Sequence, residues 1–250
     1  MGTGSCAIGV MAKAPVPGRS KTRLMPLLSA DDAAAISAAF LRDVTENVRL
    51  AAREQPIHGC IAYAPAGAES LFDGHLAADT PLILADGTPQ MPPRVQGFGR
   101  CLLHAIQVML AEGHPAAVVL NSDSPNLPTS LLAQTAQLLL QRPDRVVLGP
   151  AEDGGYYLLG MTAPHAHLFE DIAWSTDTVA ADTRARAATL GLELIELAPW
   201  YDVDEPATLL RLIDERATLP AALTPYAAPA TAACLARIGL TRPAVVLAAQ

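Results

Sequence analysis

The chain has 250 residues, 51% of them hydrophobic and 17% charged, with a formal charge of −8. That length allows one full core, and a sheet covered by helices on both faces commonly reaches it as a single domain; the apolar content excludes a disordered chain. The acidic balance, with a pI of about 5.2 and no run of Lys or Arg, repels a phosphate backbone, so no nucleic-acid partner is expected.

Taken in chain order, a first apolar run predicts a strand over Ala7–Ala14. The segment Met11–Leu24, MAKAPVPGRSKTRL, then leaves that strand through a Pro15-Val16-Pro17-Gly18 turn and meets Arg19, Lys21, Thr22 and Arg23. Turn residues leave backbone N–H groups free to converge on an anion, Lys21 offers a point charge, and Arg19 and Arg23 offer forked donors. Of the 17 Lys and Arg residues only Lys13 and Lys21 are lysine, and both fall in this segment. In open α/β sheets ligands bind beyond the carboxyl ends of strands, where this loop lies. A phosphate site comprising Lys13, Pro15, Gly18, Arg19, Lys21, Thr22 and Arg23 is therefore expected. GxxxxGK[ST] and GxGxxG are both absent, which disfavours ATP hydrolysis and hydride transfer.

A helix is expected over Asp31–Arg53, opened by a capping box at Ser29 and Asp32, followed by strands at Ile57–Ala64 and Leu82–Ala85. Gln96-Gly97-Phe98-Gly99-Arg100 precedes a helix over Gly99–Glu112, a weak signal for an anion-facing helix start. The strand Ala117–Asn121 ends in Asn121, Ser122 and Asp123. Asp123 there suits Mg²⁺ or Mn²⁺ held against a diphosphate, with Ser122 beside the nucleotide; an Asx turn is the plainer use of the same aspartate. Pro128 suits the first position of a helix over Thr129–Gln141.

Strands at Val146–Gly149 and Tyr156–Gly160 flank Glu152-Asp153-Gly154-Gly155. The glycines permit close backbone approach to a ligand, and Asp153 is a candidate general base or an ordinary Asp-Gly turn residue. Trp174 suits an acceptor pocket or core packing equally, and Ser175 or Thr176 suits the cap of a helix over Thr176–Leu190. His165 and His167 carry no further ligand and are assigned nothing. After a strand at Leu192–Leu197, Asp202 and Asp204 precede a helix over Glu205–Arg216; either is a second metal ligand, and Asp204 is also a good helix N-cap. Residues 217–250 form an Ala- and Pro-rich extension to the 1–216 domain, with a weak helical pattern at Thr231–Ile238, free to pack on the domain or on a second subunit as a homodimer.

The alternation of strands and helices predicts a single-domain α/β fold with a mostly parallel, Rossmann-like sheet covered by helices on both faces. Cys6, Cys60, Cys101 and Cys234 are scattered and read as reduced, mostly buried thiols of a cytoplasmic protein. The first apolar stretch lacks a basic flank and is broken by Lys13 and Pro15, so neither signal peptide nor membrane span is expected.

The ordered segments KAPVPGRSKTRL, NSDSPNLP, GPAEDGGYYLLGM, IAWSTDTV and WYDVDEPATL resemble the glycosyltransferase-A-fold family of nucleotide-diphospho-sugar transferases. The likeness is to the branch named for a proposed arsenosugar-biosynthesis glycosyltransferase, and it runs from about Ile8 to Ile213. It implies Lys21 and Arg23 on phosphates and Asp123 on the metal. Glycosyltransferases of this fold usually present Asp-x-Asp where this chain has Asn121-Ser122-Asp123. The first loop, the Asp-Ser-Pro segment and Asp-Val-Asp-Glu-Pro are also similar to phospholactate guanylyltransferase and molybdenum-cofactor guanylyltransferase. The expectation is a metal-dependent glycosyltransferase with an NDP-sugar donor and a small-molecule acceptor, with Lys21 and Asp153 in the chemistry. The alternative is a guanylyl- or cytidylyl-type nucleotidyltransferase that uses a nucleoside triphosphate to activate a phosphorylated small molecule and releases pyrophosphate.

Overall fold

The computed structural model describes residues 4–214 and 223–240. Seven strands form one sheet: β1 (Cys6–Ala12), β2 (Ile57–Tyr63), β3 (Leu82–Leu84), β4 (Ala116–Leu120), β5 (Arg145–Pro150), β6 (Tyr156–Met161) and β7 (Glu193–Glu196). Their order is β3-β2-β1-β4-β6-β5-β7. Only β6 runs against its neighbours, because the five residues Ala151–Gly155 return the chain as a hairpin where the other connections are long crossovers. All seven expected strands are present, with ends shifted by at most two residues.

Among the described residues six α-helices form: α1 (Ala30–Ala51), α2 (Phe98–Ala111), α3 (Thr129–Gln141), α4 (Val179–Thr189), α5 (Pro206–Asp214) and α6 (Pro229–Arg237). Alternation along β1 sorts the layers, since successive side chains of a strand point to opposite faces. Ile8 and Val10 join a core with α1, α3, α5 and α6, whereas Ala7 joins a second core with α2 and α4. The fold is therefore a helix–sheet–helix sandwich, as the sequence pattern predicts. The cysteines are free, with Cys6, Cys60 and Cys234 buried. No helix among the described residues is long and apolar enough to cross a membrane.

Local signals fare unevenly. Ser29 caps α1 as expected: its Oγ accepts from the Asp32 N–H at 3.1 Å and donates to the Asp32 carboxylate at 2.6 Å. Pro128 instead takes the extended cap position, one residue before the helix. Thr178 precedes α4, and the Thr176 hydroxyl donates backwards to the Ala173 carbonyl, so neither Ser175 nor Thr176 caps that helix.

The expected boundary at 216/217 lies outside the described residues, but α6 beyond it is anchored in the main core. Cys234 and Leu235 are buried there. Asp43, fully buried on α1, accepts the N–H groups of Ala230 (3.0 Å) and Thr231 (2.6 Å) in the first turn of α6. A carboxylate at a helix N-terminus satisfies orphan donors and meets the positive end of the dipole. Burial pushes the Asp43 carboxyl pKa up, against the pull of these same bonds. Asp43→Ala would strand two N–H groups and is expected to destabilise the protein by about 1–3 kcal/mol; an unchanged urea midpoint would show that α6 is not held this way.

Candidate functional site

The first loop begins one residue past β1 and closes on itself before its cations appear. The N–H groups of Arg19 and Ser20 donate to the Val16 carbonyl (both 3.0 Å), the Val16 N–H donates to Ser20 Oγ (2.9 Å), and that hydroxyl donates to the Ala14 carbonyl (3.2 Å). The Pro-Val-Pro-Gly turn therefore spends several N–H groups internally instead of leaving them for an anion. What it does instead is aim Lys21.

Lys21 is left-handed, at φ 48° and ψ 40°, a conformation that costs a non-glycine residue on the order of 1 kcal/mol or more and persists only when its surroundings hold it. Leu24, with no exposed surface, anchors the short 3₁₀ turn that follows. The Lys21 side chain is consequently turned inward over the Phe40 ring of α1, 5.1 Å from its centroid. Its Nζ lies 2.7 Å from Asp123 Oδ1, 2.7 Å from Asp204 Oδ1 and 2.8 Å from the Val203 carbonyl. Burial pulls the ammonium pKa down, but the charges and hydrogen bonds of the two aspartates together outweigh it and hold Lys21 above its ordinary value.

The two aspartates come from segments 81 residues apart that are laced together across the strand ends. After β7 the chain pairs with β5 as far as Trp200, whose N–H donates to the Pro150 carbonyl (3.1 Å). It then crosses to the end of β4, where the Val203 N–H donates to the Asp123 carbonyl (2.8 Å). Side chains reinforce the crossing: Ser124 Oγ donates to the Tyr201 carbonyl (2.8 Å), Asn126 Nδ2 to Tyr201 Oη (2.9 Å), and Trp200 Nε1 to Asn126 Oδ1 (3.2 Å). Ser124 and Asn126 are buried. The Tyr226 N–H of the carboxyl-terminal segment donates in turn to the Asn126 carbonyl (3.1 Å).

In front of this constellation lies a cleft of about 600 Å³ at the carboxyl ends of β1 to β4. Of the residues singled out from sequence, Lys13, Arg19, Lys21, Thr22, Arg23, Ser122, Asp123 and Asp204 line it. Pro15 and Gly18 shape the loop without lining the cleft. Asp202 is half-buried just behind it, and burial together with Asp204, Asp153 and Asp123 pushes its carboxyl pKa up to about 6. Asp153 stands exposed on the β5–β6 hairpin, where its Oδ1 accepts the Gly155 N–H (2.9 Å) as in an ordinary turn. The close approach permitted by Gly154 is to the protein itself: at φ 89°, a Cβ there would stand 2.1 Å from the Asp177 carbonyl oxygen.

Sequence reasoning missed the far wall. Ala62, Ala64 and Ala85, from the ends of β2 and β3, give a low apolar lining, and Gly97, Phe98 and Cys101 close it. Small residues at strand ends carry no signal of their own, whereas the Gly-Phe-Gly run did. Trp174 supports that wall from behind: its ring would clash with a Cβ on Gly99 (2.7 Å), it meets Phe98 edge to face (5.9 Å), and Nε1 donates to the Gln96 carbonyl (3.1 Å). Core packing thus accounts for its contacts.

Lys13, Arg19 and Arg23 line the cleft exposed, and none is paired to a carboxylate among the described residues. Among those residues, no three His, Cys, Asp or Glu side chains are grouped closely enough to cage a metal. A hard cation that takes most of its ligands from phosphate and water needs only one or two carboxylates, and the all-oxygen set of Asp123, Asp202 and Asp204 meets that requirement. The Asp123 and Asp204 side chains remain 32% and 36% exposed, open to a ligand in the cleft.

The chain belongs to the family described as "Uncharacterized protein conserved in bacteria (DUF2064)", whose model matches residues 47–176. Among solved structures it is similar to one from Desulfovibrio desulfuricans G20 described as a "putative nucleotide-diphospho-sugar transferase". That likeness has 25% identity and a TM-score of 0.75 over 97% of this chain and 100% of the other. A nucleotidyl transferase from Methanothermobacter matches at 14% identity and a TM-score of 0.51, covering 84% of this chain and 97% of the other. A CMP:2-keto-3-deoxy-manno-octonic acid synthetase solved with CTP matches at 15% identity and a TM-score of 0.50, covering 83% and 96%. These two show a shared fold. No curated protein matches the chain.

The bracing role of Asn126 is open to test. Asn126→Ala would remove the buried bonds from Trp200 Nε1 to Asn126 Oδ1 and from Asn126 Nδ2 to Tyr201 Oη and should lower stability by about 1–3 kcal/mol. A denaturation curve within about 0.5 kcal/mol of the unaltered protein would mean that the crossing is held by its backbone alone.

Proposed function

We propose that this protein is a cytoplasmic, divalent-cation-dependent glycosyltransferase that uses an NDP-sugar donor and a small-molecule acceptor. One observation carries the reading: a cleft at the strand ends sets Lys13, Arg19 and Arg23, without a carboxylate partner among the described residues, beside the Asp123–Lys21–Asp204 group. Cations without carboxylate partners suit a diphosphate, and the pair of aspartates suits its metal. The likeness to the Desulfovibrio structure, over 97% of this chain and all of the other, supports a nucleotide-sugar donor.

In this reading Arg19, Arg23 and Thr22 bind the diphosphate, with Ser122 beside it and Lys13 toward the nucleoside. Cleavage of the bond between the anomeric carbon and the diphosphate oxygen leaves negative charge on that oxygen, and fixed cations lower the barrier by stabilising it as it develops. Mg²⁺ or Mn²⁺, held by Asp123 with Asp202 or Asp204, would supply Lewis-acid stabilisation of the leaving group. Asp153 keeps Oδ2 outside its turn bond and is the proposed base for the acceptor hydroxyl in an inverting reaction. The branch linked to arsenosugar synthesis remains the suggested relation within the family.

A second reading, nucleotidyl transfer, is favoured by the number of exposed cations in the cleft. Lys13, Arg19 and Arg23 are as numerous as the phosphates of a nucleoside triphosphate, and attack by an acceptor phosphate on the α-phosphorus needs no general base. The two readings part on products. Incubation with a panel of NDP-sugars and nucleoside triphosphates, with Mn²⁺ present, is expected to release NDP from a sugar donor; pyrophosphate from a triphosphate, with no NDP from any sugar donor, would establish the second reading.

Asp123→Ala is expected to abolish metal-dependent turnover, and retained turnover would remove Asp123 from the metal site. Arg23→Ala should weaken nucleoside-diphosphate binding by roughly 10- to 100-fold, the effect of losing a charge-assisted bond of about 1.5–3 kcal/mol. Isothermal calorimetry reads that change, and an unaltered affinity would place the phosphates elsewhere.

A further inference from the structure

We propose that Lys21 holds the place of the divalent cation in the free protein and releases it only to nucleotide phosphates, so that cation and nucleotide enter the cleft together. The inference rests on the metal–nucleotide reading above and concerns what one side chain does before either ligand arrives.

An ammonium has three N–H donors. Two of them go to Asp204 Oδ1 (2.7 Å) and the Val203 carbonyl (2.8 Å), and Nζ is also ion-paired with Asp123 Oδ1 at 2.7 Å. In this state its charge is taken up by the two aspartates, although it lines the cleft where a phosphate would lie. A divalent cation is obstructed for the same reason. At about 2.1 Å from either Oδ1 it would face an ammonium only 2.7 Å from that same oxygen. Like charges that close repel strongly, more so where little water screens them.

Both binding events therefore require one rearrangement, withdrawal of Nζ from the aspartates. Charge makes the joint event favourable and the separate ones poor. A cation alone would displace Lys21 into a cleft that already holds Lys13, Arg19 and Arg23, where it has no anion to meet. Phosphates alone would draw Lys21 away and leave Asp123 and Asp204 facing each other and the ligand without a counter-charge. When both arrive, the divalent ion takes the carboxylates and Lys21 turns to the phosphates on its flexible four-carbon stem. The surrounding structure leaves Lys21 free to do so, since its backbone is fixed by the 3₁₀ turn while its side chain rests on the Phe40 ring. Linkage makes the effect reciprocal: the factor by which nucleotide tightens the cation is the factor by which the cation tightens nucleotide.

The test is Mn²⁺ binding followed by the paramagnetic signal of the free ion, on the full chain, with Mn²⁺ alone and with saturating UDP or GDP as probes. In the unaltered protein, UDP or GDP is expected to raise Mn²⁺ affinity at least tenfold. Lys21→Met should bind Mn²⁺ alone at least tenfold more tightly than the unaltered protein, and the double variant Lys21→Met/Asp204→Asn should lose that gain, which locates it at this site. Equal Mn²⁺ affinity in Lys21→Met and the unaltered protein would overturn the proposal. If Lys21→Met does not fold, Lys21→Gln serves in its place, and the unaltered protein still decides: Mn²⁺ binding that is already full in strength without nucleotide would overturn the idea. Failure of every nucleotide to bind would sink the functional reading, while the Mn²⁺ comparison between Lys21→Met and the unaltered protein would still report on Lys21.

Discussion

The bond from the Val203 N–H to the Asp123 carbonyl, 2.8 Å long, joins the chain's last crossing to the middle of the sheet. β7 lies at the sheet's edge, three strands from β4, and nothing in a parallel crossover pattern returns the chain from there to the centre. Pairing with β5 carries it as far as Trp200, and the Val203 bond completes the traverse. Asp202 and Asp204 arrive at the end of β4 because of that path. Lys21 then has two carboxylates and a carbonyl to meet.

The polar groups that support this crossing are buried and come from all parts of the chain. Asn126 bonds both aromatic residues of the crossing and offers its carbonyl to Tyr226 of the carboxyl-terminal segment. Asn47 in α1 donates to the Leu127 carbonyl (2.7 Å) and accepts from Thr129 Oγ1 (2.6 Å), fixing the loop from its other side. Buried amides that satisfy both ends of their side chains specify one arrangement, since any shift would strand donors and acceptors in an apolar setting. The carboxyl-terminal segment thereby belongs to the scaffold of the cleft as well as to the core.

Much of this architecture was legible in the sequence, and the boundary of legibility is physical. Short apolar runs and regular apolar spacing announce strands and helices through periods of 2 and 3.6, so the strands and helices of the described residues fall close to where the pattern puts them. The cationic loop and the acidic strand ends were visible because charge is conspicuous in a chain with only 17% charged residues. Partnerships were not visible. Lys21 reads as a phosphate ligand because nothing local shows that Asp204, 183 residues later, will take its proton donors. The alanine floor of the cleft and the bracing by Asn47 and Asn126 stayed hidden for a related reason: small residues and amides acquire meaning only from their neighbours. Gly154 shows the converse, a conspicuous signal whose cause is close contact with the Asp177 backbone of the same chain.

The single aspartate at the end of β4 also has an account in these terms. Asn121 stands where the glycosyltransferase pattern has its first aspartate. Its N–H donates to the Tyr157 carbonyl of β6 (2.8 Å), its Nδ2 donates to Ser124 Oγ (3.3 Å), and its Oδ1 is buried with no hydrogen-bond partner among the described residues. An aspartate there would bury a second charge beside the Ser124 hydroxyl, which is itself donated to the Tyr201 carbonyl, and desolvating an unpaired carboxylate is expensive. The neutral amide avoids that cost, and the second carboxylate facing the cleft comes from Asp204, across the Val203 bond. A pair of aspartates is thus assembled from two distant segments in place of two adjacent positions, and it is held as a pair by the one lysine between them. In such an arrangement the loop of β1, the end of β4 and the crossing after β7 cannot change independently: loss of Lys21 would leave two carboxylates opposed, and loss of either carboxylate would leave a buried ammonium short of a partner.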